Sequence, residues 1–268
     1  MSTPFDSDEP SRLLKTASTT LEILDALKQM TGTTAAELSE RLGLSETTTY
    51  NQLATLREHE FVIKDGNEYR LSGKLVPFGE HVRQENSLYK HGRAELEEIA
   101  DQTGEYAQLV IEEFGQGIII HETRGENAIG AEFHAELQRK RFKLHYTAAG
   151  KAILAYLPEK RVRQIISNQG LTNQTEATIT DRAELFEELE EIHNRGYAFN
   201  DEEQVEGLRV VGGPILNPDG YVLGALSVSG PTGRMQGKRY REDLPKLVTK
   251  TANLIEVNIN MAQRSESD

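Results

Sequence analysis

Ser227 and Ser229 stand two apart in an apolar run, and on a strand that spacing sends both hydroxyls to one face. Thr147-Ala148-Ala149-Gly150 lies just ahead of a helical stretch. Small residues there leave the first backbone N–H groups of the helix accessible, and such an end favours an anion. The two features together could hold a small carboxylate, with a well-capped helix beside a solvated strand as the alternative. Other candidate chemistry is weaker. Ala149-Gly150-Lys151 lacks the earlier glycine and following hydroxyl of a nucleotide-binding loop, because His145 and Ala152 stand there. Gly115-Gln116-Gly117 lacks a third glycine, and Ser229 lies in no nucleophile elbow. His121, His134 and His145, with Glu122 nearby, have no helical i, i+4 spacing, so no metal site is expected. With Cys 0, thiol catalysis and Cys-ligated metals drop out. An enzyme acting on a small acid through His145, Lys151 or Glu203 is the alternative, but no nucleophile–base–orienter set is visible. The expectation is a binding protein without catalytic residues or cofactor.

The elements that must position these residues read as α+β. A helix is predicted over Arg93 to Thr103, with strands Tyr106 to Glu112 and Gly117 to Glu122 after it. Helices are predicted over Lys151 to Leu157, from Pro158 through Ile166, and from Asp181, with Glu184 as capping box, to Gly196. Strands Gly207 to Leu216 and Tyr221 to Val228 flank the turn Asn217-Pro218-Asp219-Gly220. A closing helix carries Leu244, Leu247, Val248, Thr251, Leu254, Ile255 and Ile259 on one stripe. Arg139-Lys140-Arg141 with Lys143 reads as a solvated loop.

The first 75 residues have a different grammar. Leu13, Leu14, Ala17, Leu21, Leu24 and Leu27 predict a helix over Arg12 to Met30. Thr33 or Thr34 caps a second through Leu42, Gly43 breaks the chain, and Ser45 caps a third to about His59. A hairpin follows, Phe61 to Ile63 and Glu68 to Leu71 around Asp65-Gly66-Asn67. Two helices around a tight glycine turn plus a hairpin wing predict a winged helix-turn-helix, with a helical bundle as the alternative. The DNA-reading face comprises Ser45, Glu46, Thr47, Thr48, Tyr50 and Asn51, with Lys64 on the wing. Lys74 to Leu88 reads as a connecting helix whose Leu75, Phe78 and Val82 form an apolar stripe suited to dimerisation.

Composition pulls the other way. Forty-three acidic residues against 30 basic give a net charge of −13, which opposes phosphate contact. Such an acidic surface suits a salt-rich cytoplasm, where screening weakens self-repulsion, with a merely acidic mesophilic protein as the alternative. No apolar run approaches the roughly 18–20 residues of a membrane span, and Met1 to Pro10 lacks the pattern of a secretion signal, so a cytoplasmic location is expected.

Leu144 through Ala152, Arg195 through Glu203 continuing to Gly207-Leu208-Arg209, Ser227-Val228-Ser229-Gly230-Pro231, and the turn Leu42-Gly43-Leu44-Ser45 together resemble the signature segments of the IclR-type transcriptional regulators. The resemblance spans nearly the whole chain. It implies a winged helix-turn-helix, a linker helix and a GAF-like effector-binding domain, assembled as a homodimer or dimer of dimers. It also implies a palindromic double-stranded DNA operator and a small organic-acid effector that controls operator binding allosterically. An adaptor that uses the winged helix without an operator is a further alternative. Carried over by position, the effector pocket falls on Thr147, Ala148, Ala149, Asn200, Leu208, Val210, Ser227 and Ser229. Asn200 stands where Asp is common, Val210 where Cys is often found, and Asn51 where a basic residue is often seen. The expected organisation is a disordered tail 1–11, a DNA-binding domain 12–73, a linker 74–89, an effector domain 90–263 and a tail 264–268.

Overall fold

The computed structural model describes residues 13–30, 32–128 and 141–267. The expected N-terminal tail lies outside the described residues, as do Arg139, Lys140 and His134. The chain divides into two units, Met1–Val82 and Arg83–Asp268.

In the first unit, α1 (Lys15–Lys28) is followed by the short strand β1 (Thr33–Thr34), α2 (Ala35–Leu42) and α3 (Glu46–Glu58). Thr34 caps α2 reciprocally: its Oγ1 accepts from the Glu37 N–H at 3.3 Å, and its own N–H donates to Glu37 Oε2 at 2.8 Å. Gly43 ends α2 at φ +62°, a left-handed conformation suited to glycine, and the chain turns into α3. Strands β2 (Val62–Asp65) and β3 (Glu68–Leu71) form the hairpin, and β1 adds to β3 to give the order β1-β3-β2. Ile23, Leu27, Leu38, Leu53, Leu56, Val62 and Tyr69 make the core beneath. The helix-turn-helix and wing therefore share one apolar centre, which excludes a bundle with an incidental hairpin.

The connecting helix departs from expectation. Helix α4 (Leu75–Glu85) stops at Asn86, whose Oδ1 accepts from the N–H groups of Leu88 at 3.0 Å and Tyr89 at 3.3 Å. That capping starts α5 (Ser87–Thr103), six residues earlier than the apolar spacing predicted. Leu88 belongs to the core of the second unit, not to the linker stripe. No residue of α4 is buried, and the unit boundary falls within it.

The second unit is built on β4 (Tyr106–Glu113), β5 (Gln116–Arg124), β6 (Arg141–Lys143), β7 (Ala198–Asp201), β8 (Leu208–Leu216) and β9 (Val222–Pro231). They form one antiparallel sheet in the order β6-β5-β4-β9-β8-β7. One face packs on α5 and the closing helix α9 (Leu244–Ser267) through Leu96, Leu109, Val211, Val228, Val248 and Ile255. The other packs on α6 (Ala148–Leu154), α7 (Glu159–Gln169) and α8 (Arg182–Arg195) through Val110, Ile153, Ile166, Leu189, Val210 and Ala225. Strands β6 and β7 were not predicted. Each is three or four residues long and half-buried, too short for alternation to register.

Candidate functional site

The exposed face of α3 starts at its cap. Ser45 Oγ accepts from the Thr48 N–H at 3.1 Å and shares a hydrogen bond with Thr48 Oγ1 at 2.8 Å. These two hydroxyls are thus engaged in starting the helix. Glu46, Thr47, Tyr50 and Asn51 are exposed, Tyr50 by 51%. The opposite side of α3 is fixed: Gln52 Oε1 accepts from Thr20 Oγ1 at 2.5 Å, and Thr49 Oγ1 accepts from Ser39 Oγ at 2.9 Å. On the wing, exposed Lys64 lies with Nζ 5.5 Å from the Tyr69 ring centroid.

In the second unit a small pocket lies between the sheet and the start of α6. Thr147, Ala148, Ala149, Leu208, Val210, Ser227 and Ser229 line it, as do Gln108, Ile119, Phe142 and Gln204. Strand register explains the convergence. Gln108 is opposite Ser227, and Ser229 lies between Tyr106 and Val210, so both serines share one sheet face with Gln108 and Val210. Gly212, opposite Ser227, lets α6 approach: a Cβ there would come within 2.6 Å of the Ala148 carbonyl carbon. Thr147 Oγ1 caps α6 by accepting from the Gly150 N–H at 3.0 Å. The Ser227 and Ser229 hydroxyls have no hydrogen-bond partner among the described residues. Gln108 Nε2 donates to Glu122 Oε2 at 2.8 Å, which orients its amide. No charged side chain is among the described residues lining the pocket.

Asn200 is not in that lining. It is fully buried, Nδ2 donating to the Tyr146 carbonyl at 2.6 Å and Oδ1 accepting from the Glu203 N–H at 3.1 Å. Its own carbonyl accepts from the Tyr240 hydroxyl at 2.9 Å, and burial pushes that phenol's pKa up. Asn200 therefore braces the chain around the pocket, correcting the ligand contact that the resemblance implied.

Gln108 and Gln204 were missed in the sequence. Gln108 had a signal, a lone neutral polar residue inside the apolar strand Tyr106 to Ile111. Gln204 had none, since it sits among the charges of 201–206. The two candidate metal histidines among the described residues have other contacts. His145 Nε2 lies 3.1 Å from the Thr172 carbonyl, and His121 stacks edge-on to Tyr89 at 5.4 Å; burial lowers both pKa values. Among the described residues no group of three or more His, Asp or Glu is placed to hold a metal ion.

Residues 16–66 match the IclR helix-turn-helix domain, and residues 81–257 match the bacterial transcriptional regulator IclR C-terminal domain. The chain belongs to the IclR family of transcriptional regulators. Among IclR relatives, the "Probable HTH-type transcriptional regulator ArcR" of Halobacterium salinarum is 37% identical over 258 residues, covering 96% of this chain and 98% of the relative. The HTH-type transcriptional regulator KdgR of Escherichia coli is 30% identical over 229 residues, 85% of this chain and 86% of KdgR. The crystal structure of Thermotoga maritima IclR, 29% identical, superposes with a TM-score of 0.73 over 91% of this chain and 98% of that one. The α+β effector unit is accordingly GAF-like, and the helix-turn-helix unit is a DNA-binding module. An IclR regulator acts by binding DNA, which sets aside the enzyme and adaptor readings.

Proposed function

We propose that this regulator binds its operator through Thr47, Tyr50 and Asn51 of α3, assisted by Lys64, and that a small carboxylate in the pocket of the second unit controls that binding. Glu46 beside these residues repels phosphate and limits non-specific affinity. The observation that carries the effector reading is the pair of unpartnered hydroxyls, Ser227 and Ser229, facing the Ala148–Ala149 start of α6. Helix α6 has only seven residues, and among the described residues no lysine or arginine lines the pocket, so the hydroxyl and N–H donors described there hold the anion in this reading. Ile119, Phe142, Leu208 and Val210 accept the apolar remainder. Calorimetry on the full chain with keto acids, sugar acids and aromatic acids tests this. Saturable binding of at least one acid, with no response to the matching amides, is expected; binding of neutral compounds alone overturns it.

The operator is read as a palindrome bound by a homodimer or dimer of dimers, because a helix-turn-helix pair on two half-sites mirrors two-fold symmetry. The dimer contact is assigned to α4, where Val76, Phe78 and Val82 are 70%, 55% and 63% exposed. Leu75 is half-buried, and Phe78 also meets the Phe61 ring at 5.8 Å. Replacing Val76, Phe78 and Val82 together with serine should shift the sedimenting species to a smaller mass at equal concentration. An unchanged mass would place the contact elsewhere. A DNA-binding protein of net charge −13, similar to a regulator from Halobacterium salinarum, fits a salt-rich cytoplasm. Among the described residues no helix is long and apolar enough to cross a membrane.

A further inference from the structure

Lys151 heads the largest fully buried side chains among the described residues, and it sits on the helix whose first turn lines the pocket. Its Nζ donates to Glu203 Oε1 at 2.6 Å and to Glu188 Oε1 at 3.3 Å. Glu188 Oε1 also accepts from Arg195 Nη2 at 3.0 Å, so Glu188 is shared between two cations. Glu203 is 7% exposed, and its Oε2 is buried with no partner among the described residues. One oxygen of this carboxylate is tied to α6 and the other is dry.

Glu203 belongs to the segment between β7 and β8 that forms one wall of the pocket, where Gln204 and Leu208 line it. Thr175 Oγ1 donates to the Glu202 carbonyl and Thr178 Oγ1 to the Glu203 carbonyl, each at 2.7 Å. The Glu203 N–H donates to Asn200 Oδ1, and the Leu208 N–H to the Val205 carbonyl at 3.2 Å. Glu202 holds φ +66°, left-handed for a residue with a side chain, a conformation that persists only where the surroundings impose it. The wall is thus pinned at several points, and a carboxyl group without full hydrogen bonding is buried at its centre.

Building on the pocket reading, we propose that Glu203 is a positioning residue for the pocket: while ionised it leaves the wall that carries Gln204 and Leu208 easier to open, and as the neutral acid it holds that wall shut. The physical reason is hydration. Opening the wall wets the dry Oε2, and an ionised oxygen gains far more from water than a neutral acid does. Lys151 from α6 opposes the effect, and Glu188 from α8, itself held by Arg195, reinforces it. Tyr240, facing from the turn Arg239–Asp243, stays a neutral phenol, and the Asp201 backbone N–H favours the ionised form. Burial outweighs the pull of Lys151 and holds the Glu203 carboxyl above its usual range. The sign follows from linkage. A carboxyl whose affinity for protons is higher in the closed state favours that state at low pH, and this contribution is lost as pH rises through the raised value. Because the pair is buried, salt screens it little, and the device works at high ionic strength.

Hydrogen exchange of the full chain without effector, corrected for intrinsic rates, tests this on the Glu203 and Leu208 amides, with Val211 and Val228 in the β8–β9 ladder as reference. Protection of the two wall amides relative to the reference should rise by about twofold or more as pH falls from neutral to mildly acidic. In Glu203→Gln, which keeps the shape and removes the charge, the wall should be as protected at neutral pH as the acidic wild type and show no pH response. If that variant fails to fold, Lys151→Met with Glu203→Leu, an apolar replacement of the pair, should likewise show a flat profile. A wild-type wall with no pH response of its own, or a variant that retains the wild-type response, overturns the proposal. Since no effector enters the experiment, a failure of the carboxylate reading appears only in the calorimetry and a failure of this one only in the exchange.

Discussion

Replacing Tyr50 and Asn51 together with alanine is expected to erase the operator footprint while the chain stays folded and its oligomeric state is unchanged. Both side chains project from the exposed face of α3, whereas the core residues Leu53 and Leu56 and the anchors Thr49 and Gln52 lie on the other. The substitutions therefore remove the proposed DNA-reading groups and leave the core of the unit in place. Truncating a side chain that bonds a base edge costs about 1–3 kcal/mol, so the pair should reduce specific affinity by roughly 30-fold to 10⁴-fold. The polar, uncharged character of the face carries a second consequence. Few phosphates are neutralised, so log affinity against log salt should have a slope magnitude of roughly 3–5. An intact footprint after the double substitution would show that another surface reads the DNA.

The helix-turn-helix was legible because its signals are local: Thr34 with Glu37, Gly43 and Ser45 each act within four residues. The serine pair was legible for the same reason, since period-two alternation places both hydroxyls on one face. The remaining pocket depends on long-range register. Gln108 reaches Ser227 only because β4 pairs with β9, about 120 residues later in the chain. Asn200 misled because matching by position carries over a location, whereas its role is set by what the side chain meets, here the Tyr146 carbonyl and the Glu203 N–H. In the sequence Lys151 stands out only as a residue of a rejected nucleotide-binding loop and as an acid or base of the alternative enzyme. Its burial follows from Glu203, 52 residues on, and no local pattern announces a charge paired at that separation. The end of α4 turned on one side chain, Asn86, which apolar spacing alone passes over.

Replacing Ser227 and Ser229 together with alanine is expected to abolish acid binding in calorimetry. Each hydroxyl bond to a charged oxygen contributes about 1.5–3 kcal/mol, and with no lining cation among the described residues to compensate, losing both should weaken binding by roughly 10²- to 10⁴-fold. Alanine is smaller than serine and leaves the strand ladder intact. Thermal stability should consequently change little, because neither hydroxyl bonds another described group. Operator affinity without effector should also stay near the wild-type value, since the serines lie in a different unit from α3. Retention of wild-type acid affinity would remove both serines from the site.

The central claim is that pocket occupancy and operator affinity are coupled. The most direct measurement is the affinity of the full chain for its operator, titrated at fixed salt and pH with and without a saturating acid identified by calorimetry. Coupling between two sites is typically about 1–3 kcal/mol, so operator affinity should change about 5- to 150-fold, and the operator should change acid affinity by the same factor. Equal operator affinity with the pocket filled and empty would contradict the account.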